Sequence, residues 1–138
     1  MSGGPGILLG FDYGSKRIGV AVGQVVTRTA TALETLESRR HRPDWNGVSR
    51  LVKEWQPEAL VVGLPLTLEG AEQELTVAAR RFGRQLQGRY GLAVHFADER
   101  LSTYSATRRL AEQRRDERQW VDQEAARLIL QTWLNQSP

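Results

Sequence analysis

The sequence predicts an α/β fold on a mixed, five-stranded sheet: an antiparallel meander of three strands, then parallel strands, with helices on both faces. Three observations carry this reading. Two apolar runs near the N-terminus are separated by a short glycine-containing turn. Beyond residue 43 the apolar period changes from strand-like to helix-like. From there, apolar runs too short for helices alternate with stretches at helical spacing, without internal repeat or low-complexity segment.

The run Ile7-Leu-Leu-Gly-Phe-Asp12, followed by Gly14, reads as a buried strand. Arg17-Ile-Gly-Val-Ala-Val-Gly23 reads as a second, joined to the first by the tight turn Tyr13-Gly-Ser-Lys16 and so antiparallel to it. A weaker strand near residues 29–36 completes the meander. From Pro43-Asp44 onward, Trp45, Val48, Leu51, Val52 and Trp55 recur at helical spacing, and Gln56-Pro57 stops that helix. Ala59-Leu-Val-Val-Gly63 is the fourth strand. After a loop around Glu69-Gly70, Leu75, Ala78, Ala79, Phe82 and Leu86 mark one face of a long helix. Ala93-Val-His-Phe-Ala97 is the fifth strand. Ser102 is placed to cap a helix carrying Ala106 and Leu110. The charged stretch from Gln113 to Gln119 reads as a loop, and a last helix from about Asp122 turns Ala125, Ala126, Ile129, Leu130, Trp133 and Leu134 inward.

A length of 138 residues fits one domain, 1–138, with a hydrophobic core of its own. A hydrophobic fraction of 40% against 25% charged residues is that of a water-soluble globular chain. The absence of cysteine excludes a disulfide framework, thiolate zinc sites and cysteine nucleophiles, and is compatible with a reducing compartment. No apolar run approaches the roughly 20 residues of a membrane-spanning helix, and the first residues lack the pattern of a signal peptide. A cytoplasmic location is the expectation. The net charge of +3 rests almost entirely on arginine, since only Lys16 and Lys53 are lysines. Arginines crowd at 80, 81, 84 and 89 and at 108, 109, 114, 115 and 118; a solvated helix face and a polyanion-binding surface explain such crowding equally well.

Three acidic residues stand where chemistry is plausible. Asp12 ends the first strand, at the edge where ligands gather in sheets of this kind, although Asp-Tyr-Gly is also ordinary turn chemistry. Glu99 follows the fifth strand in the same way; with the fourth and fifth strands parallel to the first, it comes out on the same side of the sheet as Asp12. An ion pair with Arg100 is its duller explanation. Asp122 shares the inward stripe of Ala126, Ile129 and Trp133, while an aspartate at a helix start is also a normal N-cap. Three carboxylates converging in a partly buried site repel one another unless protons or cations neutralise them. Their hard oxygens select Mg²⁺ or Mn²⁺, and such ions activate water and stabilise the leaving oxygen in phosphoryl displacement. Of the two histidines, His95 falls inside a strand and His41 in an arginine-rich loop. No Ser-His-Asp arrangement is visible, and no GxxxxGK[ST] phosphate loop is present.

Phe11-Asp-Tyr-Gly-Ser-Lys-Arg-Ile-Gly-Val-Ala-Val-Gly23, Val62-Gly-Leu-Pro-Leu66, Asp98-Glu-Arg-Leu-Ser-Thr103 and Val121-Asp122 followed by Ala125-Ala126 closely resemble the YqgF/RuvX family. These are bacterial relatives of the RuvC Holliday-junction resolvase with a ribonuclease H-like fold. The resemblance spans almost the whole chain, and its first and third motifs are the most specific. It implies a ribonuclease H-like domain and a metal-dependent nuclease, a hydrolase acting on ester bonds. The family's activities are described as trimming the 5′ end of the 16S ribosomal RNA precursor or resolving Holliday junctions. Carried over by position, its catalytic and metal-binding acids fall on Asp12, Glu99 and Asp122, and its nucleic-acid-binding positions on Lys16, Arg17, Arg100, Ser102 and Thr103. The chain departs from the pattern at residues 114–120, where arginines and acids replace glycine and lysine, at Gln123, which replaces serine, and at Thr67, which replaces asparagine. The altered loop bears on substrate preference more than on metal binding.

Three functions follow as expectations: a nuclease acting on structured RNA in ribosomal RNA maturation, a junction resolvase acting on branched DNA, and a non-catalytic nucleic-acid-binding module that kept the fold. The expected partner is nucleic acid, the expected state a monomer or homodimer, and no membrane is involved. A symmetric four-way junction favours a two-fold dimer.

Overall fold

Alternation along the strands sorts the side chains onto two faces, and this sorting explains both the core and the site. The structure is a computed structural model that describes residues 6–39, 42–66, 69–99 and 118–136. Its strands are β1 (Ile7–Tyr13), β2 (Arg17–Gln24), β3 (Thr29–Arg39), β4 (Arg42–Pro43), β5 (Ala59–Leu64) and β6 (Ala93–Asp98). Its helices are α1 (Trp45–Trp55), α2 (Glu74–Tyr90) and α3 (Arg118–Gln136).

The six strands form one sheet in the order β4-β3-β2-β1-β5-β6. The β1–β2–β3 meander is antiparallel, and β5 and β6 run parallel to β1, as the sequence predicts. The expected count of five strands is corrected to six. β3 extends to Arg39, and β4 pairs with its end through only Ser38↔Pro43 and Arg39↔Arg42. Two residues are too few to show any period, and Pro43 is tolerated there because β4 lies at the edge of the sheet.

One face of the sheet receives Leu9, Phe11 and Tyr13 of β1, Ile18 and Val20 of β2, and Leu60, Val62 and Leu64 of β5. Val48 and Leu51 of α1 and Ala79, Phe82 and Leu86 of α2 pack on it. Phe82 anchors this layer, edge-on to Phe11 at 5.5 Å and stacked against Trp45 at 5.6 Å. The first of these helices ends where the sequence places its stop. Asp44 caps α1 by accepting from the Gly47 amide at 3.0 Å, and Gln56 closes it in the left-handed region before Pro57. Gly91 closes α2 at φ 65°.

The opposite face belongs to α3 alone among the described helices. Four of its strand residues are small, Gly10 on β1, Ala21 and Gly23 on β2 and Ala59 on β5, and Leu8 and Val61 accompany them. Ala125, Ala126, Ile129, Leu130 and Leu134 of α3 fill the space above them. A Cβ at Gly10 would stand 2.9 Å from Leu130 Cβ, so α3 lies against the sheet only because side chains are missing there. Gln131 ties the helix to the edge, accepting from the Ala30 amide at 3.0 Å and donating to the Arg28 carbonyl at 2.7 Å.

The last helix begins at Arg118, earlier than the predicted start near Asp122. It opens on the polar residues Arg118 and Gln119, which add nothing to the apolar period. The expected loop at 113–119 is therefore helical at 118–119; its remainder, and the expected helix from Ser102, lie outside the described residues. No described helix is long and apolar enough to cross a membrane.

Candidate active site

Asp12 is the penultimate residue of β1 and points, like Leu8 and Gly10, to the α3 face; it is only 3% exposed. Its antiparallel partner is Gly19 on β2. On the other side β1 is in parallel register with β5 through Phe11↔Val62, so the next position brings Gly63 alongside Asp12. Gly19, Asp12 and Gly63 thus form a row across three strands at the C-terminal edge of β1 and β5, with a spacing of about 4.8 Å per strand.

The two glycines are clearances for the other two acids. A Cβ on Gly19 would meet the Asp122 carbonyl oxygen at 1.8 Å, and a Cβ on Gly63 would meet Glu99 Oε1 at 2.6 Å and Ile129 Cδ1 at 2.7 Å. Asp122 therefore sits over one end of the row and the Glu99 carboxylate over the other, roughly 10 Å apart by strand spacing, with Asp12 between them. Glu99 is 4% exposed and Asp122 8%. Asp122 lies in the second turn of α3, so capping does not account for its position.

A cation already meets one acid. Arg17 Nε at the start of β2 lies 2.5 Å from Asp122 Oδ2, with side-chain exposures of 30% and 11%. Among the described residues, no three acidic or histidine side chains lie together as a ready-made metal cluster. The donor set nevertheless fits a divalent cation: three buried carboxylic side chains, glycine beneath the Glu99 carboxylate and beneath the Asp122 backbone, and Asp122 Oδ1 outside the bond to Arg17. Asp12, Glu99 and Asp122 are the residues that would hold it.

Lys16 is exposed on the turn between β1 and β2, beside Arg17, at the same edge of the sheet. Arg100, Ser102, Thr103 and His41 lie outside the described residues. His95 faces α3 and stacks on Trp133 at 4.9 Å, two residues back along β6 from Ala97, the register partner of Gly63. Gln123, where the family has serine, accepts from Thr35 Oγ1 at 3.3 Å and joins α3 to β3. Gly19 and Gly63 carry no charge or polar side chain that marks them as site residues. The available signal was the alternation of small residues at 19, 21 and 23, which marks the face of a strand approached closely by a helix.

Comparison with known proteins gives concordant results. A family model described as "RuvX: Holliday junction resolvase" matches residues 6–136. A protein of Nitrosococcus oceani named "Putative pre-16S rRNA nuclease" is 54% identical over 134 residues, covering 96% of this chain and 88% of that one. One of the same name from Azotobacter vinelandii is 51% identical over 138 residues, covering 98% and 97%. Among solved structures, T. thermophilus RuvC in complex with a Holliday junction substrate aligns at TM-score 0.53 with 18% identity, covering 93% of this chain and 92% of that one. The Fowlpox virus resolvase in complex with Holliday junction DNA aligns at TM-score 0.59 with 11% identity, covering 94% and 97%. At these identities the structural likenesses establish a shared fold, the RuvC-like ribonuclease H fold. The match across residues 6–136, together with the relatives at half identity or more, establishes that the chain belongs to the RuvX family.

Proposed function

We propose that this chain is a divalent-metal-dependent nuclease that hydrolyses phosphodiester bonds in the precursor of 16S ribosomal RNA. The observation that carries the reading is the row Gly19–Asp12–Gly63, which leaves room for Asp122 and Glu99 on either side of Asp12. Buried carboxylates so arranged repel one another unless positive charge neutralises them, and a divalent cation supplies it. Mg²⁺ or Mn²⁺ bound there would supply Lewis acidity and a water ionised near neutral pH. Asp12, in the middle of the row, would hold the ion, and Glu99 and Asp122 would complete the donor set from either side. Arg17 and Lys16 at the rim are assigned to the phosphate backbone, with Arg100, Ser102 and Thr103 assigned by family resemblance alone.

RNA as substrate is supported by the names of the relatives at 54% and 51% identity; action at its 5′ end rests on the family resemblance. One domain covering residues 1–138 and acting in the cytoplasm completes the proposal. A second reading, resolution of branched DNA, is favoured by the description of the family model and calls for a two-fold dimer.

The test is cleavage of a 5′-extended 16S precursor RNA with Mg²⁺ or Mn²⁺, with a four-way DNA junction in parallel. The expected result is metal-dependent cleavage of the RNA that falls by about a hundredfold or more in Asp12→Asn, on the order of 3 kcal/mol of barrier. Equal cleavage by the variant removes the assignment, and cleavage of the junction alone transfers it to the second reading.

A further inference from the structure

Beside the acidic row, on the far side of Arg17, the sheet edge changes sign. A cavity of about 330 Å³ is lined by Lys16, Arg17, Thr35, Glu37, Ser38 and Arg39 among others. A second, of about 420 Å³, is lined by Glu37, Arg39, Arg42 and Asp44. They share Glu37 and Arg39, so they are two parts of one groove. The groove runs over the ends of β2, β3 and β4, while the acids sit over the ends of β2, β1 and β5, and Arg17 belongs to both. Its wall is fixed by the backbone: the Ser38 amide donates to the Lys16 carbonyl at 2.9 Å, and Arg17 pairs with Glu37 in register.

Four of the residues around this groove are basic and two are acidic, and both acids are weak competitors for a ligand. Asp44 is committed to the α1 amide of Gly47. Glu37 meets Arg39 at 3.5 Å, but with side chains 74% and 86% exposed, a pair of that kind contributes almost nothing and yields readily to a phosphate. Lys16, Arg39 and Arg42 are all exposed. From β2 to β4 is two strand spacings, about 10 Å, room for about two to three consecutive phosphates of an extended nucleotide backbone.

We infer that this groove carries the RNA backbone for about two to three nucleotides to one side of the cleaved bond, with Lys16, Arg39 and Arg42 meeting its phosphates. The inference rests on the nuclease reading and assigns that site its flanking substrate contact. An acidic protein surface or an anionic membrane would also be drawn to arginine; continuity with the carboxylate row through Arg17 selects a phosphodiester chain that must reach both.

The experiment uses the full chain carrying Asp12→Asn, to prevent cleavage, with and without Arg39→Gln and Arg42→Gln together. Binding of a fluorescein-labelled RNA hairpin with a single-stranded tail is followed by anisotropy from about 50 to 200 mM NaCl. The expected result is a fall of roughly 5- to 20-fold in affinity and a reduction of about 1.5 in the slope of log K against log salt, as for two lost phosphate contacts. Arg50→Gln, an exposed arginine of α1 paired with Glu34, serves as the charge-matched control and is expected to change neither. An unchanged slope, an equal loss in Arg50→Gln, or loss of binding to phosphatidylglycerol vesicles with RNA binding intact would each overturn the inference. Calorimetry with Mn²⁺ on the same proteins without Asp12→Asn separates the two claims. Absence of heat from the wild type defeats the metal site whatever the groove does, and an unchanged salt slope defeats the groove whatever the metal does.

Discussion

Arg17 and Asp122 are 105 residues apart in the chain, yet Arg17 Nε lies 2.5 Å from Asp122 Oδ2 at the point where the acidic row meets the basic groove. In the absence of a metal ion, this guanidinium supplies the positive charge that a buried carboxylate requires.

Replacing Arg17 by glutamine is therefore expected to destabilise the metal-free protein. Because the arginine is 30% exposed, the cost is discounted to about 1–2 kcal/mol, or a fall of roughly 3–8 °C in Tm. Millimolar Mn²⁺ should restore more stability to Arg17→Gln than to the wild type, since the ion then has no competitor for Asp122. Thermal melts with and without Mn²⁺ check this; the same metal-induced shift in both proteins would show that Arg17 and the cation do not share Asp122.

The glycines of the row should differ sharply from other glycines. Gly63→Ala puts a methyl group 2.6 Å from Glu99 Oε1 and 2.7 Å from Ile129 Cδ1. Both are side-chain atoms that can give way, so the expected cost is about 1–3 kcal/mol of stability, with a loss of cleavage of tenfold or more as Glu99 is displaced. Gly19→Ala collides at 1.8 Å with backbone of α3, which must move as a body, and is expected to cost more stability than Gly63→Ala. Gly88, on the exposed side of α2 with nothing within 4 Å, is the counter-case: Gly88→Ala should stabilise by about 0.5–1 kcal/mol. Urea unfolding of the three variants, with cleavage assays on the two that perturb the row, makes the comparison.

Tyr13 provides a handle on pH. It is 4% exposed, and burial pushes its phenol above the ordinary value of 10.0, with the Ser38 hydroxyl and Arg81 pulling in the opposite direction. A folded-state value raised above the unfolded one means that the contribution is fully present below about pH 10 and is lost as pH rises through the folded-state value. Tyr13→Phe should therefore lose less stability than the wild type when the pH is raised from about 9 to above 10. Parallel losses in denaturation at both pH values would contradict this.

Much of this architecture was legible because buried strands and amphipathic helices write their period into the chain. The β1–β2 hairpin follows from two apolar runs around a glycine turn, α1 from Trp45, Val48, Leu51, Val52 and Trp55, and its end from Gln56-Pro57. Parallel pairing of β1, β5 and β6 follows from helices intervening between apolar runs. The phase of Asp122 with Ala126 and Ile129 holds, for all three are buried. What escaped has no period to detect. β4 is two residues long, and β3 runs on through Glu37, Ser38 and Arg39, which look like loop. The helix α3 opens on Arg118 and Gln119, which add nothing to the apolar period, so that period places its start about four residues late. Gly19 and Gly63 matter for atoms they lack, and Arg17 finds Asp122 only once the sheet and α3 are assembled.

The site stands or falls on whether Asp12, Glu99 and Asp122 bind one cation region jointly. Diffraction at the manganese edge from crystals soaked in Mn²⁺ tests that most directly. Anomalous density in contact with Asp12 and at least one of Glu99 and Asp122, abolished in Asp12→Asn, is the expected result. Saturating Mn²⁺ with no density at the row, or density there that survives Asp12→Asn unchanged, would contradict it.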